Sequence, residues 1–179
     1  MSANPQVYGV VGEFADPHAL LNAAEAARGE GYTKLDAFSP FPVHGLERAM
    51  GIPRSRLGLI VAVTGLVGGA SGLLLQWWTG AVSFPLNVGG KPHFAIEPSV
   101  PIIFELSVLL AAFGAVVGMI ALSGLPRFYH PVFNWERFKR VSDDRFFLAI
   151  ESSDPLFDER EIVRFLRSAG AVAAEVVAQ

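Results

Sequence analysis

Two apolar runs in the middle of this 179-residue chain constrain it more than any other feature. The first is Leu57 to Trp78, LGLIVAVTGLVGGASGLLLQWW, and it carries no ionisable side chain. The second is Val100 to Leu125, VPIIFELSVLLAAFGAVVGMIALSGL, and it carries one, Glu105. A helix needs roughly 20 residues to cross about 30 Å of hydrocarbon, and each run is long enough. A surface helix of a soluble protein shows a polar face, which neither run has. The runs predict a two-helix transmembrane hairpin, with helices at about 57–78 and 100–125 and a loop at 79–99.

Basic residues fix the expected orientation. Arg48, Arg54 and Arg56 precede the first run, and Arg127, Arg137, Lys139 and Arg140 follow the second. The loop between them holds one cation, Lys91. By the positive-inside rule both termini face the cytoplasm and the loop faces outward. Trp77 and Trp78 close the first run, where interfacial belt residues belong. The opening residues MSANPQVYGVVGEF lack a basic stretch followed by an apolar one, so no signal peptide is expected. The formal net charge of −3 argues against nucleic acid as a partner. The absence of cysteine excludes disulfides, thiolate zinc sites, cysteine-ligated iron–sulfur clusters and covalently attached haem c on this sequence.

The flanks have ordinary soluble composition, and each reads as β-α-β. Val7 to Phe14 is rich in β formers. Asp16-Pro17 then supplies a helix N-cap and a first helical residue. Leu20, Ala23, Ala24 and Ala27 recur at helical spacing, Gly29 and Gly31 stop the helix, and Tyr32 to Phe38 reads as a second strand. Beyond the hairpin, Phe146 to Glu151 reads as a strand. A helix starts near Asp158, with Glu161 placed for capping. Its apolar stripe is Ile162, Phe165, Leu166 and Ala169; Gly170 ends it, and Ala171 to Val177 reads as a last strand. The strand-to-helix junctions Glu13-Phe14-Ala15-Asp16-Pro17 and Glu151-Ser152-Ser153-Asp154-Pro155 share Glu, Asp and Pro. Each flank alone is too small for a core. Together they predict one split cytoplasmic domain, residues 1–56 and 126–179. Its class is α+β, a ferredoxin-like β-α-β-β-α-β sandwich. The hairpin, residues 57–125, is inserted between the second and third strands.

Few residues stand out as sites. Glu105 is a carboxylate inside a span, about 8 Å deep if the helix starts near Val100. It reads either as a proton-exchanging group or as a carboxyl hydrogen-bonded to a neighbouring helix or to water. Gly65 and Gly69, Gly68 and Gly72, and Gly114 and Gly118 form three GxxxG pairs, which predict close helix packing within the hairpin and against helices of other chains. The linker after the second run is aromatic and basic together. Trp135, Arg137, Lys139 and Arg140, with Arg54, Arg56, Arg127, Trp77 and Trp78, are candidates for contact with the membrane surface or a partner. Residues 39–56 contain Pro40, Pro42 and Pro53, which resist regular structure. His44 has no second ligand at metal spacing and reads as a loop histidine. Gly9 and Gly12 do not make a dinucleotide fingerprint, and Gly90-Lys91 lacks the rest of a phosphate loop. Asp143, Asp144 and Arg145 read as a salt-bridged turn. No nucleophile–base arrangement is evident, so no catalytic residue is assigned.

The linkers carry a resemblance. Ser39-Pro40-Phe41-Pro42-Val43-His44-Gly45, then Glu47-Arg48-Ala49-Met50-Gly51 and Arg54-Ser55-Arg56-Leu57, resemble the membrane-proximal segment of the D subunit of alternative complex III. Tyr129-His130-Pro131-Val132-Phe133-Asn134 and Ser142-Asp143-Asp144-Arg145-Phe146-Phe147-Leu148-Ala149-Ile150-Glu151 resemble that family's segment after its second helix. The resemblance covers most of residues 7–165. It implies a two-helix subunit of a bacterial respiratory quinol oxidoreductase, in the inner membrane. Its partners would be the other subunits, including multi-helix quinol-handling chains and chains bearing haem c and iron–sulfur clusters, or an associated terminal oxidase, together with membrane lipid. No cofactor is implied on this chain. The expected role is non-catalytic: packing on larger membrane subunits and bracing their cytoplasmic side. Two other readings stay open, a free-standing membrane-anchored sensor of a small ligand and an accessory proton-transfer subunit acting through Glu105.

Overall fold

Val10, Val11, Phe14, Leu148 and Ile150 have no exposed surface, and they lie on two strands that form the centre of a sheet. The computed structural model describes residues 7–179. Its strands and helices run β1 (Val7–Phe14), α1 (Pro17–Gly29), β2 (Leu35–Phe38), α2 (Leu46–Met50), α3 (Leu57–Trp77), α4 (Val100–Leu122), β3 (Phe146–Glu151), α5 (Glu159–Ser168) and β4 (Ala173–Ala178). The chain divides into two units, Met1–Pro53 with Tyr129–Gln179, and Arg54–Phe128.

The first unit holds a four-stranded sheet in the order β2-β3-β1-β4. Every neighbouring pair is antiparallel. Side chains alternate across a strand, so each strand feeds two faces. Val10, Phe14, Leu148 and Ile150 point to one face, which α1 and α5 cover with Leu20, Ala23, Ala24, Ala27, Ile162 and Leu166. Val11, Phe147, Ala149 and Val177 point to the other face, where Val132, Trp135 and Phe138 pack. A strand buried on both sides reads as a continuous apolar run, which explains VYGVVGEF and FFLAIE.

Capping sets the helix ends. The Asp16 carboxylate accepts from the amides of His18 and Ala19 at 2.9 Å and starts α1. The Asp158 carboxylate accepts from the Glu161 amide at 2.8 Å and starts α5. Such caps satisfy amides that the first helical turn leaves without partners. At the end of α5, Gly170 takes φ +98, and Ala171 N–H donates back to Leu166 O at 3.0 Å. A left-handed turn of that kind suits glycine.

In and next to the linkers, several details differ from the sequence expectation. The second strand starts at Leu35 rather than Tyr32, because the Thr33 and Lys34 amides donate to the Asp154 carboxylate. The last strand starts at Ala173 rather than Ala171, because Ala171 is held in the turn that closes α5. The proline-rich linker contains a short helix, α2, framed by Gly45 at φ +89 and Gly51 at φ +71. The helical path of the first run does not stop at the tryptophan pair: a π-helical turn carries it through Trp78–Ser83.

The second unit is a helical hairpin. α3 has 21 residues and α4 has 23, preceded by a 3-10 turn at Glu97–Ser99. α4 ends at Leu122, three residues short of the expected Leu125. Both helical stretches, Leu57–Ser83 and Glu97–Leu122, are long and apolar enough to cross a membrane. The most apolar window of the first is 11% buried within the chain and that of the second 6%.

Candidate interaction surfaces

The hairpin seam is built from glycine. A Cβ on Gly68 would run into the Leu106 carbonyl oxygen, and one on Gly72 would lie 2.9 Å from Ile103 Cα. A Cβ on Gly65 would lie 3.5 Å from Ala111 Cβ, and one on Gly69 would lie 2.8 Å from Ser107 Oγ. From the other side, a Cβ on Gly114 would run into Thr64 Oγ1, and one on Gly118 would lie 3.0 Å from Leu57 Cδ1 and 3.2 Å from Ile60 Cγ2. Rising numbers on α3 meet falling numbers on α4, so the helices are antiparallel. All six predicted glycines therefore meet the opposite helix of the same hairpin. Gly68, Gly72, Gly114 and Gly118 are buried in this seam, while Gly65 and Gly69 keep part of their surface exposed.

Two hydroxyl groups of the long helices, those of Thr64 and Ser107, are satisfied locally. Thr64 Oγ1 donates to Ile60 O at 3.0 Å, and Ser107 Oγ donates to Ile103 O at 2.7 Å. Bonding back to the preceding turn gives each of these two hydroxyl protons an acceptor within its own helix.

Glu105 lies on the opposite side of α4 from the seam and is exposed. Its neighbours along that side, Pro101, Val108, Leu109, Ala112 and Val116, are also exposed. At 3.6 residues per turn, Gly114 is about two and a half turns from Glu105, which puts the two on opposite faces. Trp77 and Trp78 are 45% and 56% exposed, with ring centroids 6.4 Å apart.

The basic candidates separate into two sets. Arg54, Arg56 and Arg127 are exposed, and among the described residues they form no ion pair. Arg137, Lys139 and Arg140 are each paired within the first unit. Lys139 Nζ meets Glu136 at 3.0 Å, and Arg140 forms a bidentate pair with Asp144. Arg137 Nε meets Glu13 at 2.6 Å, and Arg145 Nε approaches the same carboxylate at 3.4 Å. Arg145 also meets Asp144 at 3.6 Å.

Trp135 needs a correction. It is 6% exposed and packs edge-on against Phe147 at 5.7 Å, so it is not a membrane-surface or partner contact. Phe138 packs on the same Phe147 at 5.0 Å. An aromatic linker reads as interfacial when nothing in the sequence says that a sheet face is open beneath it. Phe133, at 63% exposure, does point outward from that linker.

Two carboxylates were missed as anchors. Glu13 is fully buried on β1. The signal available was a single charge in the strand run VYGVVGEF. Asp154 is 4% exposed and accepts from Thr33 N–H at 2.7 Å, Lys34 N–H at 2.8 Å, Thr33 Oγ1 at 3.2 Å and Leu156 N–H at 2.9 Å. Burial pushes the Asp154 carboxyl up, but these four hydrogen bonds outweigh it and hold its pKa below the ordinary aspartate value. The two similar junctions thus do different work: Asp16 caps a helix, whereas Asp154 ties two distant loops.

An open cleft of about 590 Å³ lies beside the edge strand β2, lined by Phe38, Pro40, His130, Phe133 and Phe138. His130 Nδ1 accepts from Val132 N–H at 3.4 Å, and its ring lies edge-on to Tyr8 and Phe38. Among the described residues, no group of three His, Cys, Asp or Glu side chains is placed to hold a metal ion. A family model described as alternative complex III, ActD subunit, matches residues 8–176. No curated protein is significantly similar.

Proposed function

Because the chain belongs to the family of alternative complex III ActD subunits, we propose that it is an integral membrane subunit of that complex without catalytic chemistry of its own. On this reading α3 and α4 span the bacterial inner membrane as a hairpin, and both termini are cytoplasmic. The first unit is one split domain, ferredoxin-like in topology, which braces larger subunits on the cytoplasmic side. Haem c and iron–sulfur clusters belong to partner chains.

The observation that carries the membrane assignment is the exposure of the two long helices. Their apolar windows are 11% and 6% buried, although each is about as long as a bilayer is thick. In water such surfaces would associate; in lipid they are solvated. Orientation is supported by exposed Arg54, Arg56 and Arg127 next to the spans, against one lysine in the loop. The ferredoxin-like assignment is supported by the order β2-β3-β1-β4 with antiparallel neighbours, which two β-α-β halves generate.

The test is to express the tagged chain in its own bacterium and purify it in mild detergent. Copurification with haem-bearing chains is expected. A chain that is stable in detergent, monodisperse and free of haem would instead favour the free-standing sensor. The cysteine-free sequence allows topology to be read directly. A membrane-impermeant maleimide should label Val88→Cys in spheroplasts and leave Ser168→Cys unlabelled until lysis. The reverse pattern would overturn the orientation.

A further inference from the structure

Glu105 is the one charged side chain of α4, and α3 has none. The seam of the hairpin cannot serve it, since the seam lies on the other side of the helix. Among the described residues no group donates to its carboxylate. Lys91, the loop's one cation, lines a separate recess with Gln76, Thr79 and His93. An ionised carboxylate on a hydrocarbon-facing surface is costly, and such groups pair with another group across a helix interface. Much of both helices is exposed, and of that surface the outward stripe of Pro101, Glu105, Val108, Leu109, Ala112 and Val116 is the part that carries the charge.

We propose that this outward stripe of α4 docks against a transmembrane helix of another subunit, one that presents an arginine or lysine to Glu105. The inference rests on the membrane-subunit reading above and adds which face meets the partner and by what charge. The apolar residues of the stripe supply packing area on both sides of the carboxylate. The carboxylate sets register, because a cation at any other height would leave both charges unpaired in a medium of low dielectric. Glu105 lies about 8 Å from the start of α4, within reach of a long basic side chain entering from the outer interface.

The test places a photoactivatable benzophenone side chain at Leu109, one turn from Glu105, in the assembled complex in native membranes. A cross-link to a single protein chain is expected, within a helix that carries an arginine or lysine. E105Q should lower the yield of copurified complex by roughly three- to eighteen-fold, the range that measured intramembrane polar contacts translate to. E105D should retain most of it. Charge reversal in E105K should abolish the Leu109 cross-link, and a matching acidic substitution of the partner's cation should restore it. Lipid adducts alone at Leu109, with full recovery of complex in E105Q, would overturn the docking face while leaving the subunit assignment intact. A cross-linked helix without a basic residue would overturn the charge pairing. Failure of the unsubstituted chain to recover any partner would overturn the subunit assignment itself.

Discussion

Arg137 Nε donates to the Glu13 carboxylate at 2.6 Å, joining residues 124 positions apart in the chain. The bond ties the segment after the hairpin to β1, the central strand that precedes it. Glu13 has no exposed surface, while the Arg137 side chain is half exposed. Arg137→Ala would leave a buried carboxylate with Arg145 alone at 3.4 Å. The expected loss is about 2–3 kcal/mol, below the range for a fully buried pair because one partner is hydrated. Hydrogen exchange at β1 and β3 reads it, and unchanged protection in both strands would refute the tether. Glu13→Leu should cost less than Arg137→Ala, since it removes the buried charge instead of leaving it unpaired.

Asp154 makes stability depend on pH. Its folded pKa lies below the ordinary value, so the folded state favours the ionised form. The contribution is therefore fully present above about pH 4, the unfolded value, and is lost as pH falls through the lower folded value. Asp154→Asn keeps one acceptor oxygen, so whichever way its amide turns it sets an NH₂ against N–H donors, those of Thr33 and Lys34 or that of Leu156, and removes the charge that strengthens all four bonds. It should destabilise the first unit by about 2–3 kcal/mol at pH 7. Urea unfolding of both proteins between pH 2.5 and 7 tests the sign: the gap between them should close at the acid end. A gap that widens on acidification would contradict the assignment.

The strands and the helix caps were legible because each rests on local signals. Asp16-Pro17 and Asp158 with Glu161 specify helix starts by chemistry that acts within four residues. The apolar strand runs were legible as strands, but their meaning was not. VYGVVGEF is apolar but for Glu13 because the sheet is covered twice, and the second cover, Val132, Trp135 and Phe138, lies more than a hundred residues away. Long-range pairing has no sequence period, so Trp135 was read as interfacial. The same holds for Glu13, whose partners Arg137 and Arg145 are equally remote. The glycines were recognised as packing residues, but which helix they meet depends on hairpin register, which a pattern of small residues leaves undetermined.

Register predicts that the glycines are not equivalent. Gly58→Ala meets nothing within 4 Å and should be neutral or slightly stabilising, since alanine is the better helix former by about 1 kcal/mol. Gly68→Ala drives a Cβ into the Leu106 carbonyl oxygen, a backbone atom that cannot rotate away. The helices must separate, at an expected cost of about 1–2 kcal/mol. Thermal unfolding of the detergent-solubilised chain, followed by circular dichroism, ranks the two. Equal midpoints for both variants would sink this reading of the seam.

The double cover of the sheet separates Trp135 from the other two tryptophans. Trp77 and Trp78 are exposed next to the spans, whereas Trp135 is 6% exposed against Phe147. A protein with Trp77→Phe and Trp78→Phe would retain Trp135 as its one fluorophore. In bilayers containing brominated lipid its emission should be blue-shifted and unquenched, because aromatic packing surrounds the indole. With Trp135→Phe alone, the remaining pair should be strongly quenched. Substantial bromine quenching of Trp135 would return the linker to the membrane surface. Trp135→Ala should cost about 3–5 kcal/mol in the first unit, as expected for a large aromatic removed from a closed core. That loss should appear as reduced exchange protection at Phe147 and Ala149, which share the Trp135 side of the sheet, before it reaches Leu148 and Ile150 on the helix-covered side.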